Sequence, residues 1–430
     1  MKLIYFLLLI TPVLPKVKVV NNLYVFPGEV ALIFYGLFLL YKQKIPSFLI
    51  KSKASKFLLW FWVVLIFFSI LNFPFYPSLG DFFRAIKGLI YVPVIYIGYR
   101  YRERLPKDML FYGTLSVLIN LTNYFLIKVP QYGFEIWQLE ALYSGLSVYY
   151  LDLAQLTINI IPKGAHGVYG DYSVLLIAIT LYQIARKEVS LMAGLGLILL
   201  FAISVLLTVS RGSLFTFVFF WFLILIWYLP RKVSMLKRLL ILLVFIVIIL
   251  GFLGAIIFGP YIMKLPMIQK IAYTLESYQV RGTESNIQMR IGGWFSTLYA
   301  MGDYPYRILI GCGYNLMCIK DYMQSAAQRY GIYTMIALPE SLIFLAFQFG
   351  GIFGLILLLL FLISVIKPCF HSNSQPYLPL FGIYFLALLP TNFFSGASII
   401  ADLLYSQILL VIGYLHKYDY QNAKDLNNHR

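Results

Sequence analysis

Apolar runs of span length, separated by short basic segments, recur along almost the whole chain. A transmembrane helix needs about 17–25 predominantly apolar residues. On that criterion twelve segments are candidates, near 3–14 (short), 24–41, 57–73, 83–99, 109–128, 171–185, 190–209, 212–229, 239–258, 338–366, 376–393 and 398–416. The expected fold class is all-α: residues 1–430 as a single integral membrane domain with about 12 transmembrane helices. Two stretches interrupt the rhythm. Residues 130–170 mix Phe134, Ile136, Trp137, Leu142, Tyr149 and Tyr150 with Glu135, Glu140 and Asp152, which suits a helix lying at the interface. Residues 259–337 form a polar island with seven Lys and Arg, where an amphipathic stretch (288–301) precedes a turn-rich one (303–315).

Composition agrees with the periodicity. Hydrophobic residues make up 61% of the chain and charged residues 12%, at a mean hydropathy of +0.82. Soluble domains run at about 45–50% apolar and about 25% charged. The net charge of +17 raises the question of nucleic acid, but the basic residues sit in short clusters between spans, so no nucleic-acid partner is expected. Those clusters orient the chain. Loop 42–56 carries Lys42, Lys44, Lys51, Lys53 and Lys56, and loop 100–107 carries Arg100, Arg102, Arg104 and Lys107. Arg186 and Lys187 mark a third loop, and Arg231, Lys232, Lys237 and Arg238 a fourth. With an internal N-terminus all four fall on the cytoplasmic side, and 74–82, 130–170, 259–337 and 391–397 face outward. Met1–Leu14 resembles a signal-peptide core but lacks a small-x-small cleavage site before Lys16, so it is kept as a short first span. No internal repeat is visible.

Metal and cofactor chemistry have little to stand on. No CxxC or HExxH occurs, and His166, His371, His416 and His429 are far apart, so neither metal nor cofactor is expected. Cys312 and Cys318 are close enough for a disulfide, although two packed thiols are the expectation.

Candidate chemistry clusters at the outer face. Arg211, in Ser210-Arg211-Gly212 between the seventh and eighth spans, reads either as a snorkelling arginine or as a fork for phosphate. Arg290 and Trp294 lie one helical turn apart and could cradle a sugar diphosphate or simply be solvated. They precede GCGYN at 311–315, whose two glycines must break a helix, and whose Tyr314 and Asn315 are candidates for substrate binding. Arg281 joins them from the same loop. Pro339-Glu340-Ser341 opens the long span that continues to Gln348, Gly350, Gly351 and Gly354. Glu340 there reads either as a helix-dipole partner or as a general base. Arg84 and Lys87, at i and i+3, and His166 add basic groups from two further outer regions. Together they suggest a shared anion site.

Taken in order, SRG at 210–212, Arg290 and Trp294 followed by GCGYN, and PESLIFLAFQFGGIFGL at 339–355 resemble the O-antigen polymerase and O-antigen ligase superfamily of bacterial envelope glycosyltransferases. The resemblance covers roughly residues 170–366; the first half agrees in hydropathy alone. It implies an architecture similar to C-superclass membrane glycosyltransferases, with the active site facing the periplasm or cell exterior from the bacterial plasma membrane. It implies an undecaprenyl-diphosphate-type oligosaccharide donor, no nucleotide sugar, and membrane lipid, a chain-length regulator and a flippase as further partners. Arg211 and Arg290 would engage the donor diphosphate. The ligase branch carries His-Asn where the long span begins; Pro339 and Glu340 stand there in this chain. That difference points to the polymerase branch, with Glu340 as candidate base. A ligase with another acceptor and a lipid-linked oligosaccharide flippase are the alternatives.

Overall fold

The computed structural model describes residues 1–13, 16–20, 23–25, 27–41, 49, 51–123, 150–153, 156–159, 166–207, 210–228, 285–332, 341–371, 377–395 and 405–416. In chain order these form α1 (Lys2–Leu9), one 3₁₀ turn (Thr11–Val13), β1 (Lys16–Val20), β2 (Leu23–Val25), α2 (Pro27–Tyr41), α3 (Lys53–Asn72), α4 (Leu79–Ile90), α5 (Val92–Arg100) and α6 (Leu105–Asn123). Then follow β3 (Tyr150–Leu153), β4 (Leu156–Asn159), α7 (His166–Ala185), α8 (Leu191–Leu207) and α9 (Arg211–Tyr228). The second half holds α10 (Ser285–Asp303), α11 (Tyr306–Leu309), α12 (Leu316–Arg329), α13 (Leu342–His371), α14 (Pro379–Ser395) and α15 (405–416).

The protein is built as a helical bundle of membrane type, and the expected span count is corrected. Among the described residues three helical stretches are long and apolar enough to cross a bilayer: Lys53–Asn72, Leu79–Arg100 and Leu342–Phe370. At 1.5 Å per residue the first of these is about 30 Å long, the thickness of a hydrocarbon core. Pro27–Phe38, Leu191–Leu206, Gly212–Trp227 and Pro379–Pro390 are apolar but shorter. The expected first span is an eight-residue helix, α1, that ends before Thr11. At 1.5 Å per residue it is about 12 Å long, too short to cross, and hydropathy averaged over a window does not register the turn that stops it. The candidate at 239–258 lies outside the described residues.

The all-α expectation also gives way locally. A four-stranded antiparallel sheet has the order β2-β1-β4-β3, with Lys16 opposite Asn159 and Val17 opposite Ile158. It joins the segment before α2 to β3 and β4, within the 130–170 stretch where an interfacial helix was expected; 130–149, 154–155 and 160–165 of that stretch lie outside the described residues. The alternation of Lys16-Val17-Lys18-Val19 is a period-2 pattern, and pairing across about 140 residues of sequence realises it.

The interior is mainly apolar but also takes in polar side chains, while large apolar side chains cover the outer surface, as a lipid solvent allows. Every residue of α7 from Tyr169 to Ala185 is buried, including Asp171, Ser173, Thr180 and Gln183. The Ser173 hydroxyl meets Tyr169 O at 3.1 Å and Ser204 Oγ at 3.1 Å, and Thr180 donates to Leu176 O. The outer faces of α3, α9 and α13 expose Trp60, Phe67, Phe215, Phe222, Phe353 and Ile363. Close crossings use glycine: a Cβ on Gly98 would fall 2.1 Å from Leu410 O, and one on Gly413 2.0 Å from Ile95 O.

The bundle has two chemically distinct ends. At one, Lys107 and Arg186 both pair with Glu188, Arg104 pairs with Asp108, and Ser52 bonds His416. The basic loops 100–107 and 186–187 therefore share an end, as the charge pattern implied. At the opposite end of α3 lies the turn that follows α11.

Candidate functional site

The organising feature of that second end is a break in α13. Gly351 has φ 57° and ψ −155°, a conformation essentially restricted to glycine. The break frees carbonyls that would otherwise serve the helix, and the 311–313 turn satisfies two of them. Cys312 N donates to Gln348 O at 2.7 Å and Gly313 N to Phe349 O at 2.8 Å. Such an approach of backbone to backbone leaves no room for side chains. A Cβ on Gly311 would lie 2.2 Å from Phe349 O, and one on Gly313, at φ +64°, 2.1 Å from Ser69 N. The glycines read from sequence as a helix breaker are thus required by contact as well as by conformation.

The same turn is clasped from α3. Ser69 Oγ accepts from Tyr314 N at 2.8 Å, and Asn72 Nδ2 donates to Gly311 O at 3.1 Å. Asn315 is buried and fully used: Oδ1 caps α12 by accepting from Cys318 N, and Nδ2 donates to Tyr76 O. Asp81 Oδ2 accepts from Leu316 N at 3.1 Å. The Tyr314 ring stacks on Phe349, 4.7 Å between centroids, and approaches Trp62. Cys312 and Cys318 form a disulfide, with Cα atoms 5.8 Å apart, in place of the expected pair of thiols. The capped start of α12 curls residue 318 back over the turn, which spacing alone does not reveal.

The remaining sequence candidates fall into three groups. Glu340 and Arg281 lie outside the described residues. His166 and Arg211 stand at the first positions of α7 and α9, where Ser210 Oγ accepts from Ser213 N. Arg290 and Trp294 share a face of α10, both partly buried, and Trp294 stacks on Phe344 of α13 at 5.8 Å and 21°. That contact seats the arginine–tryptophan face beside the first turn of α13. Arg84 and Lys87 are each held by a carboxylate: Arg84 by Asp81 at 3.0 Å, Lys87 by Glu29 at 2.9 Å. Glu29 is buried and also accepts from the Tyr91 hydroxyl. Their charge is therefore matched within α4 and α2.

Sequence reasoning missed Arg307. Its Nη1 donates to Asn72 Oδ1 at 2.8 Å and to Gly311 O at 3.5 Å, and Nη2 donates to the Tyr322 hydroxyl at 2.8 Å. The guanidinium lies over the rings of Tyr322 (4.3 Å) and Tyr306 (5.2 Å), so its partners are neutral oxygens and π faces. It sits at the C-terminal end of α3, where helix carbonyls carry roughly half a negative charge. Burial raises the Tyr322 phenol, but hydrogen bonds from Tyr306 and Arg307 and the arginine's charge outweigh it, leaving the phenol below its ordinary value. Tyr76 moves the other way, raised by burial and by its bond to Asp321. One of seven basic residues in its loop, Arg307 carries no local mark, because Asn72 is distant in sequence.

The arrangement offers an arginine–indole face on α10, an arginine–tyrosine cluster on α11 and α12, and a rigid turn between them. Among the described residues no group of three His, Cys, Asp or Glu could hold a metal ion. Compared with models of protein families and with curated proteins, the chain matches none.

Proposed function

We propose that this chain is a membrane glycosyltransferase that polymerises polyprenyl-diphosphate-linked oligosaccharide units into a surface polysaccharide of O-antigen or capsule type, at the outer face of the bacterial plasma membrane. The observation that carries the reading is the stacking of Trp294 on Phe344, which brings the Arg290 face against α13, whose first residue follows Glu340 by two in the sequence. The disulfide supports an outward 259–337 loop, since disulfides persist in oxidising compartments and are rare in the cytosol. The unmatched motif order, SRG, Arg290 and Trp294, GCGYN and Pro339-Glu340, remains its sequence basis.

In this reading the anomeric carbon of the growing chain leaves its diphosphate oxygen and bonds to a hydroxyl oxygen of the next lipid-linked unit. Arg211 and Arg290 offset the charge gathering on the departing diphosphate. Glu340 takes the hydroxyl proton. The test is surface-glycan banding in a strain deleted for the gene. The deletion strain should display single repeat units, and complementation with Arg290→Ala should fail to restore long chains. Normal chains in the deletion strain would overturn the function. Normal chains with Arg290→Ala would overturn the site.

A further inference from the structure

Tyrosine rings follow one another across α10, α11 and α12. Tyr299 stacks on Tyr330, 4.4 Å between centroids. The Tyr330 hydroxyl donates to Asp303 Oδ1 at 2.6 Å, and Arg329 pairs with the same oxygen at 3.1 Å. Tyr304, next in the chain, lies edge-on to Tyr322 at 4.8 Å and to Tyr306 at 6.2 Å, and the Tyr306 and Tyr322 hydroxyls are 2.9 Å apart. Tyr76 continues the series through Asp321. Carboxylates, an arginine and one another hold the phenols of Tyr76, Tyr306, Tyr322 and Tyr330, and ring contacts hold Tyr299 and Tyr304, yet Tyr299, Tyr306 and Tyr330 are 44%, 48% and 44% exposed. Rigid rings half open to solvent, with oriented polar groups at their edges, are unusual as pure scaffolding.

Two kinds of surface use exposed tyrosine. A membrane-interface belt sets it among aliphatic side chains, and Ile308, Leu309 and Ile310 do lie exposed beyond Tyr306. The other flank is different: α12 exposes Lys320, Asp321, Gln324, Gln328 and Arg329. The rings therefore border a polar face. A pyranose matches such a border, since its C–H face stacks on an aromatic ring while its hydroxyls meet carboxylates, amides and guanidinium groups. Arg307 retains a second Nη2 N–H beyond the one given to Tyr322. Two half-exposed ring sites, at Tyr299–Tyr330 and at Tyr306, flank the Tyr304–Tyr322 pair, so the surface suits more than one sugar.

We propose that the run from Tyr299 through Tyr330, Tyr304 and Tyr322 to Tyr306 is a docking track for an oligosaccharide. It deepens the polymerase reading and rests on it: the track holds the growing glycan, while Arg290 lies nine residues earlier, about 14 Å away along α10.

The experiment uses the full chain in nanodiscs on a printed array of bacterial glycans, together with chain lengths in the complemented deletion strain. The wild type should retain a subset of glycans. Tyr299→Ala and Tyr306→Ala should each lower retention about fivefold, whereas Tyr299→Phe, which keeps the ring, should retain them. In cells Tyr299→Ala should form linkages but yield shorter chains. Retention of no glycan by the wild type, or retention at the wild-type level in both alanine variants, overturns the track. A deletion strain that still makes full-length glycan overturns the polymerase reading instead, and leaves ring-dependent binding on the array standing.

Discussion

Three glycines separate conformational strain from steric exclusion, and alanine at each gives a different expected outcome. At Gly302 in α10 an added Cβ meets nothing within 4 Å and the backbone is helical, so Gly302→Ala should stabilise by about 0.5–1 kcal/mol. At Gly331 the space is equally open but φ is +63°, so alanine should cost about 1–2 kcal/mol from left-handed strain alone. Gly313 combines φ +64° with a Cβ only 2.1 Å from Ser69 N and 2.4 Å from Ser69 Cα, backbone that cannot swing aside. To the same strain it adds about 1–3 kcal/mol of overpacking. Displacing the turn also weakens the Gly313 N–Phe349 O and Cys312 N–Gln348 O bonds, about 1 kcal/mol each. The expected total for Gly313→Ala is about 4–7 kcal/mol. Unfolding in mixed micelles by denaturing detergent, on the three variants and the wild type, gives the comparison. A Gly313→Ala cost no larger than that of Gly331→Ala would refute the claim that the turn is clasped between α3 and the break in α13.

Other consequences follow from the same contacts. Lys87→Met should destabilise by about 3–5 kcal/mol, because Glu29 would keep a buried charge without its lysine; adding Glu29→Gln should recover part of the loss, and an additive double variant would refute the coupling. Reducing Cys312–Cys318, six residues apart in sequence, should cost about 2 kcal/mol, read as a lower thermal midpoint with dithiothreitol that a Cys312→Ala/Cys318→Ala variant no longer shows. Tyr322 ionises below its ordinary value when folded, so its contribution to stability is present above about pH 10 and is lost as pH falls through the folded value. The 295 nm titration difference between wild type and Tyr322→Phe should show that early ionisation, and Arg307→Gln should move it upward; an unchanged midpoint would separate Tyr322 from Arg307.

Where information was local, the chain could be read directly. Membrane character came from the runs of apolar residues, which need only neighbours in sequence to be recognised. GCGYN was legible as a turn because glycine punctuates any helix. The shared end of loops 100–107 and 186–187 followed from their charge. Span count was less legible, since average hydropathy does not distinguish a helix of twenty residues from a shorter apolar helix whose ends are fixed by packing. The lone alternation at 16–20 found its meaning only in a partner near residue 158.

Residue roles at the loop end divide along the same line. Arg84 and Lys87 carry charge wherever they sit, but whether that charge is available depends on Asp81 and on Glu29, the latter from another helix. Asn315 is a polar residue in sequence and a spent one in the fold, with both ends of its amide engaged. Arg307 has the reverse history: ordinary in sequence, it gains its setting from Asn72, 235 residues away, and from two tyrosine rings. Solvent preference and turn chemistry are properties of a residue and its neighbours, so the linear chain carries them. Charge matching, helix breaks filled by distant backbone, and the alignment of aromatic rings are properties of pairs, and only folding chooses the pairs.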